Sequence, residues 1–317
     1  MSSETIFKFE PQDYGMVLNN VAGVAVNSQG NLYALVRGEV PVLIFNSDGH
    51  YVGGWGKGLI GGPHGIFIDS DDFVYCVDSK QNIVMKFSPD GQLLLTLGTA
   101  GESSDSGCIG GDFKTVTQGA GPFNKPTNAA TSPSGDIFVS DGYGNARVHR
   151  FSADGTLIKS WGEPGYEPGQ LHLPHGIAVD QNNLVYVADR ENDRIQIFDT
   201  DGNLKAIWDN LYRPTDICIK DGSVYVSEVG HRMYIDNVLF KPSSNPPWSQ
   251  IRVFDMAGVE KTRIGGPEGW KAGNFFAAHS ICVDLEGSIY VGEVIWPAHE
   301  ISTPEDLHPA LQKFRRL

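Results

Sequence analysis

Residues 171–198 read LHLPHGIAVDQNNLVYVADRENDRIQIF, and they hold one complete structural unit. GIAV (176–179) and LVYVAD (184–189) flank the turn DQNN, and RIQIF (194–198) starts a third run after the ADREN corner. Period-two alternation in runs of about four to eight residues, bounded by Asp/Asn-rich turns, predicts half-buried antiparallel strands.

Working outward, the same pattern recurs six times, with first strands beginning at Gly23 (GVAV), Gly65 (GIFI), Asn128 (NAAT), Gly176 (GIAV), Asp216 (DICI) and Ser280 (SICV). Successive copies start 42, 63, 48, 40 and 64 residues apart. The short intervals match the roughly 40–45 residues of a four-stranded propeller blade, and the long ones are that unit plus insertions. Turns such as SPDGQ (88–92), SADGT (152–156) and DTDGN (199–203) supply the positive φ of tight hairpins. Helical periodicity is confined to a short turn at Pro304–Leu311. The last copy ends after a third strand, LQKFRRL, while TIFKFEP near the start alternates before any copy begins. The expected fold is therefore an all-β, six-bladed β-propeller of one domain, residues 1–317. An N-terminal strand near residues 4–10 completes the last blade, which removes the exposed edge. A sandwich of six meandering sheets is the alternative, but regular repeats of this length seldom form one.

The residue just before each first-strand motif occupies one equivalent position on every blade: Ala22, His64, Thr127, His175, Thr215, His279. Histidine falls on every second blade. Alternate blades lie roughly 120° apart about the channel, so these three side chains should converge on the axis as the trigonal face of a metal site. Three neutral imidazoles with a fourth position open suit a catalytic zinc, although iron, manganese or cobalt would also fit. A lone histidine at a strand start is ordinarily structural. The shared position is what singles out these three among nine histidines.

Chain topology puts the connections between second and third strands, and between blades, on the face where the histidines lie. The three insertions, residues 99–122, 229–250 and 294–309, all map there, as does Trp248, Trp270 and Trp296 in or beside them. Long loops on one face of a repeat wheel commonly carry function. On the same rim, Tyr143 follows the second strand of blade three and Arg37 that of blade one. A phenol beside a cation and a guanidinium can act as a base, while arginine holds a carboxylate or the phenolate. The recurring acids Asp78, Asp141, Asp189, Glu228 and Glu293 read as corner scaffolds that accept backbone N–H groups. His172 is a loop polar group or a support for His175; His50, His149, His231, His299 and His308 share no position.

Composition excludes several partners. Net charge is -14 with no basic stripe, so nucleic acid is not expected. Mean hydropathy is -0.21 and no apolar run approaches a membrane span, so no membrane partner is expected either. MSSETIFKFEPQD lacks the basic and apolar regions of a secretory signal. The four cysteines, 76, 108, 218 and 282, form no CxxC pair and read as free thiols, consistent with a cytoplasmic location.

The segments LPHGIAVD, FVSDGYGNARVHRF and ADRENDRIQIF resemble the NHL-repeat propeller of peptidyl-α-hydroxyglycine α-amidating lyase, the second catalytic half of the peptide-amidating enzymes. The resemblance implies zinc on His64, His175 and His279, with Tyr143 as catalytic base and Arg37 as its arginine. It implies cleavage of the C–N bond of an N-acyl hemiaminal, giving an amide and glyoxylate from a peptide-like or small-molecule substrate. The chain departs from the family at Ala277-Ala278-His279-Ser280, where Met-Pro-His-Asp is usual; Ser280 removes an aspartate that helps hold a structural calcium. Asn124 and Gly144 replace one disulfide pair. Two other readings stay open: a metal-dependent hydrolase or hydratase using the same three histidines, and a non-catalytic platform for binding proteins.

Overall fold

A computed structural model describes residues 2–4, 18, 20–230, 233–235, 239–241, 248–267, 272–294 and 310–315, with backbone alone at 2–4, 233–235 and 239–241. Six four-stranded antiparallel sheets form a six-bladed β-propeller, and no α-helix occurs among the described residues. The innermost strands are Val21–Val26, Pro63–Ile68, Pro126–Thr131, Pro174–Val179, Pro214–Lys220 and Ala278–Val283. In blade four the order outward is Pro174–Val179, Val185–Asp189, Arg194–Phe198 and Leu204–Trp208.

The N-terminus completes blade six, as expected: Ser2–Glu4 pairs with Lys313–Arg315. This strand meets the expected segment, near residues 4–10, at Glu4, and residues 5–17 lie outside the described residues. The same holds for His231, His299, His308, Trp270, Trp296, most of 229–250 and nearly all of 294–309. The helical turn expected at Pro304–Leu311 falls there too, except that Leu311 opens the strand Leu311–Arg315.

The blades are held together by aromatic contacts that recur around the wheel. Trp55, Trp161 and Trp208, each ending an outermost strand, pack on Phe87, Phe198 and Phe254 of the following blade, with ring centroids 4.8, 6.0 and 5.6 Å apart. Pairs of this type contribute about 0.5–1.5 kcal/mol beyond the area they bury. The turn glycine of DTDGN lies flat on Trp161: Gly202 has φ +78°, and a Cβ there would sit 2.7 Å from the indole. Only glycine satisfies both the turn and the contact.

The corner acids behave as scaffolds. Asp78, Asp141, Asp189, Glu228 and Glu293 are fully buried. Asp78 accepts from the amides of Gly61, Lys80 and Gln81, and Glu293 from those of Phe276 and Ala277. His149, also fully buried, is tied to Ser160 and Asp141.

Candidate metal centre

Each innermost strand begins two residues earlier than its alternation suggested, and the reason lies in the histidine position itself. Pairing with the second strand breaks between Val21 and Gly23, Pro63 and Gly65, Pro126 and Asn128, Pro174 and Ile177, Pro214 and Asp216, and Ala278 and Ser280. Ala22, His64, Thr127, His175, Thr215 and His279 are thus the unpaired residues of six equivalent bulges. A bulge re-aims its extra side chain, here toward the axis.

The three histidines meet there. Their ring centroids are 4.8–4.9 Å apart, and one nitrogen from each lies within 4.8 Å of the others. The intervening blades fix their orientation. His64 Nδ1 bonds the Thr127 carbonyl at 2.6 Å, His175 Nδ1 the Thr215 carbonyl at 2.6 Å, and His279 Nδ1 the Ala22 carbonyl at 2.7 Å. A carbonyl can only accept, so each Nδ1 carries its hydrogen and each Nε2 lone pair is left for the axis. Burial is the main reason that all three favour the neutral form. It lowers His64 to about 3, with help from the Arg37 charge, and it takes His175 and His279 well below the ordinary value.

Close blade contact makes these bonds possible. A Cβ on Gly176 would meet the Thr215 carbonyl oxygen at 2.7 Å and the Asp216 Cα at 2.6 Å. The threonine hydroxyls continue the chain of bonds: Thr127 Oγ1 donates to the Pro174 carbonyl and Thr215 Oγ1 to the Ala278 carbonyl, both at 2.9 Å. Those carbonyls belong to the residues preceding His175 and His279.

Three neutral nitrogens aimed at one point fit a transition metal, and carbonyl partners on the opposite ring nitrogens are the usual support for such ligands. A calcium ion fits poorly at the adjacent axial position. There the Asp216 carboxylate already accepts from Asn128 Nδ2, Ser280 Oγ and the amides of Ile217 and Ile281 at 2.7–3.1 Å. Calcium needs about six to eight oxygen ligands, whereas the groups around this carboxylate are donors.

Tyr143 is half-buried beside the histidines. Its Oη lies 3.2 Å from Nε2 of both His64 and His175. Arg37 lines a neighbouring surface cavity with Gly61, Gly62 and Ser79, and its charge reaches His64 and His279. One site residue was not anticipated. Arg190 belongs to the ADREN corner, read above as part of the repeat, yet its Nη1 is 3.4 Å from Tyr143 Oη and its guanidinium sits 5.6 Å over the Tyr143 ring. Glu191 holds Arg190 Nε at 2.9 Å and also pairs with Arg213. The strand register supplies the signal that would have revealed it. Arg37 and Arg190 each follow the last residue of a second strand, Val36 and Asp189, in blades one and four, which face each other across the axis.

Asn124 and Gly144, at the positions of the absent disulfide, are in contact through the Gly144 amide and Asn124 carbonyl at 3.0 Å. Asn124 Nδ2 also reaches the Ser104 carbonyl at 3.1 Å and Ser106 Oγ at 3.2 Å. Hydrogen bonds thus fasten the 99–122 insertion to the Tyr143 loop. All four cysteines are free thiols.

Residues 171–198 match the NHL repeat. The chain is 33% identical over 202 residues to human NHL repeat-containing protein 3, covering 60% of this chain and 55% of that one. It is 36% identical over 157 residues to peptidyl-alpha-hydroxyglycine alpha-amidating lyase 1 of Drosophila melanogaster, covering 45% and 26%. The chain therefore spans only part of these relatives, about half of the first. A streptogramin B lyase structure superimposes with a TM-score of 0.61 over 98% of this chain and 96% of the other at 14% identity, which shows a common fold.

Proposed function

We propose that this chain is a metal-dependent lyase that cleaves the C–N bond of an N-acyl hemiaminal, with an N-acyl-α-hydroxyglycine as the substrate type. The observation that carries the proposal is the Tyr143 phenol oxygen, 3.2 Å from Nε2 of His64 and of His175. It sets a proton-transfer group at the point where the three imidazoles converge. Zinc is the ion we assign to His64, His175 and His279; when bound, it would supply Lewis acidity to the substrate oxygen.

The protein groups divide the remaining work. Tyr143 Oη takes the proton of the substrate hydroxyl as the C–N bond breaks, and that proton passes to the departing amide nitrogen. Arg190 donates to the same oxygen and lies over the ring, which stabilises negative charge on it. Arg37 faces from the opposite blade and holds the substrate carboxylate. The products are an amide and glyoxylate, with atoms balanced and no water consumed. We place the enzyme in the cytoplasm, where its four thiols would stay reduced.

Product analysis tests this reading. Metal-loaded protein given N-acetyl-α-hydroxyglycine should release glyoxylate and acetamide in equal amounts, faster than a protein-free control. Acetate as the product would identify a hydrolase instead. No product at all would favour a binding platform, a role consistent with the similarity to NHL repeat-containing protein 3.

A further inference from the structure

Tyr143 sits in the loop 142–146, between the strands Ile137–Asp141 and Arg147–Phe151. Glycine flanks it on both sides, at 142 and 144, so the chain around the tyrosine has the widest backbone freedom available. Yet its phenol oxygen stays 3.2 Å from two imidazole nitrogens at once. Misplacing a reacting group by about 1 Å can cost roughly 100-fold in rate. A loop of this composition must be held from outside.

Partners beyond the loop supply that hold. The Tyr143 amide donates to the Lys125 carbonyl at 3.3 Å and the Gly144 amide to the Asn124 carbonyl at 3.0 Å. The 99–122 insertion reaches the loop twice. The Ala120 amide donates to Asn145 Oδ1 at 3.1 Å, and Ser106 Oγ donates to the Gly144 carbonyl. A carbonyl can only accept, so the Ser106 hydroxyl proton is committed to Gly144, and its lone pair accepts from Asn124 Nδ2 at 3.2 Å. Ser106 is completely buried. Its own carbonyl accepts from the amides of Thr117 and Gln118 at 3.0 and 3.3 Å, which closes residues 106–117 into a compact loop with joined ends. One side chain therefore ties the neck of the insertion to the backbone of the residue after Tyr143.

We propose that Ser106 is a positioning residue, through which the 99–122 insertion holds the Tyr143 loop in place at the three histidines. The effect on turnover rests on the lyase reading; the hold on the loop does not. A covalent tie at the same place should do the same work. A Cβ on Gly144 would lie 2.5 Å from Asn124 Cγ, so cysteines at 124 and 144 would bring their Cβ atoms to within about 4 Å, the spacing of a disulfide. Gly144 lies outside the positive-φ region, and a side chain there asks only a small movement of the Asn124 carbonyl, 2.9 Å from that Cβ. Rescue by such a tie separates positioning from packing, because a disulfide at 124 and 144 does not refill the space left at Ser106.

The test measures Ser106→Ala, alone and combined with Asn124→Cys and Gly144→Cys, in a Cys108→Ala background that prevents mispairing with the nearby thiol. Metal-loaded protein is assayed with N-acetyl-α-hydroxyglycine, and exchange of the Tyr143 and Gly144 amide hydrogens is followed separately without substrate. Ser106→Ala should lower kcat at least about tenfold with KM changed less than about twofold, and should speed exchange of both amides about tenfold, at unchanged metal content. Forming the disulfide should restore kcat and protection together, and a phosphine reductant should abolish the recovery. Oxidised and reduced forms are compared in one sample, so the result stands even where Ser106→Ala alone folds poorly. Wild-type kcat or wild-type exchange in Ser106→Ala would overturn the proposal, as would a disulfide that forms without restoring kcat. Absence of glyoxylate from the wild-type protein would overturn the lyase reading, and the exchange comparison would still decide whether Ser106 holds the loop.

Discussion

His175 Nδ1 bonds the backbone carbonyl of Thr215, on the next blade, at 2.6 Å. The relation repeats at His64 with Thr127 and at His279 with Ala22, so each blade without a histidine orients the histidine of the blade before it. Six bulges thereby form one ring in which three positions offer nitrogen and three offer carbonyl oxygen.

The threonine hydroxyls should be measurable parts of this ring. Thr215→Ala removes the bonds from Oγ1 to the Ala278 carbonyl and to Ser227, both within the buried core. We expect a loss of about 1–3 kcal/mol in denaturant unfolding and a weaker metal site. Unchanged midpoint and metal affinity would show that the hydroxyl only fills space. Ala22 has no such hydroxyl, so blade one makes no bond to blade two of the kind that Thr127 and Thr215 make to the Pro174 and Ala278 carbonyls of their following blades.

Blade contact at the axis can be tested through Gly176. A methyl group there would press on backbone atoms of Thr215 and Asp216, which cannot rotate away. Gly176→Ala should cost about 1–3 kcal/mol by overpacking, read as a fall in the urea midpoint at constant slope. Wild-type stability in this variant would mean that the blades slide apart freely.

In the proposed reaction, Tyr143 transfers the proton and Arg190 stabilises the charge left on the phenol oxygen. Tyr143→Phe should lower kcat by roughly 100-fold or more while the protein keeps its metal. Arg190→Gln should lower kcat with less effect on metal content, since Arg190 approaches the phenol rather than the imidazole nitrogens. A Tyr143→Phe protein with normal turnover would remove the phenol from the chemistry.

Acid should destabilise the metal-free protein through its buried imidazoles. The neutral form is favoured in the fold, so His64 takes up a proton near its ordinary value of 6.5 when unfolded but only near about 3 when folded. Its contribution is therefore fully present above about pH 6.5 and is lost as pH falls toward 3. Between pH 7.5 and 5 it alone should remove about 2 kcal/mol from unfolding free energy. Thermal unfolding of apoprotein across that range gives the sign directly; a rising midpoint on acidification would contradict it.

Much of the propeller is visible in the spacing of short alternating runs, because each blade repeats the same local problem of a half-buried strand and a tight turn. The histidines become legible for the same reason: equivalent positions on successive blades can be compared in one chain. Three features needed coordinates. The bulges at residues such as Pro63–Gly65 leave no mark in strand alternation, so strands appeared to begin late. Arg190 was hidden inside the repeat's own corner motif, although its equivalence to Arg37 was available from strand register. The described part of the closing strand is Ser2–Glu4, whose composition is too polar to announce a strand without its partner Lys313–Arg315.

The central claim is that His64, His175 and His279 hold a catalytic transition metal, and elemental analysis of the purified protein tests it most directly. The wild-type protein should retain or take up about one equivalent of zinc or a related ion, and His175→Ala should lose both that metal and turnover while keeping its β-sheet circular dichroism. A wild-type protein that holds no transition metal, and binds none on addition, would contradict the account.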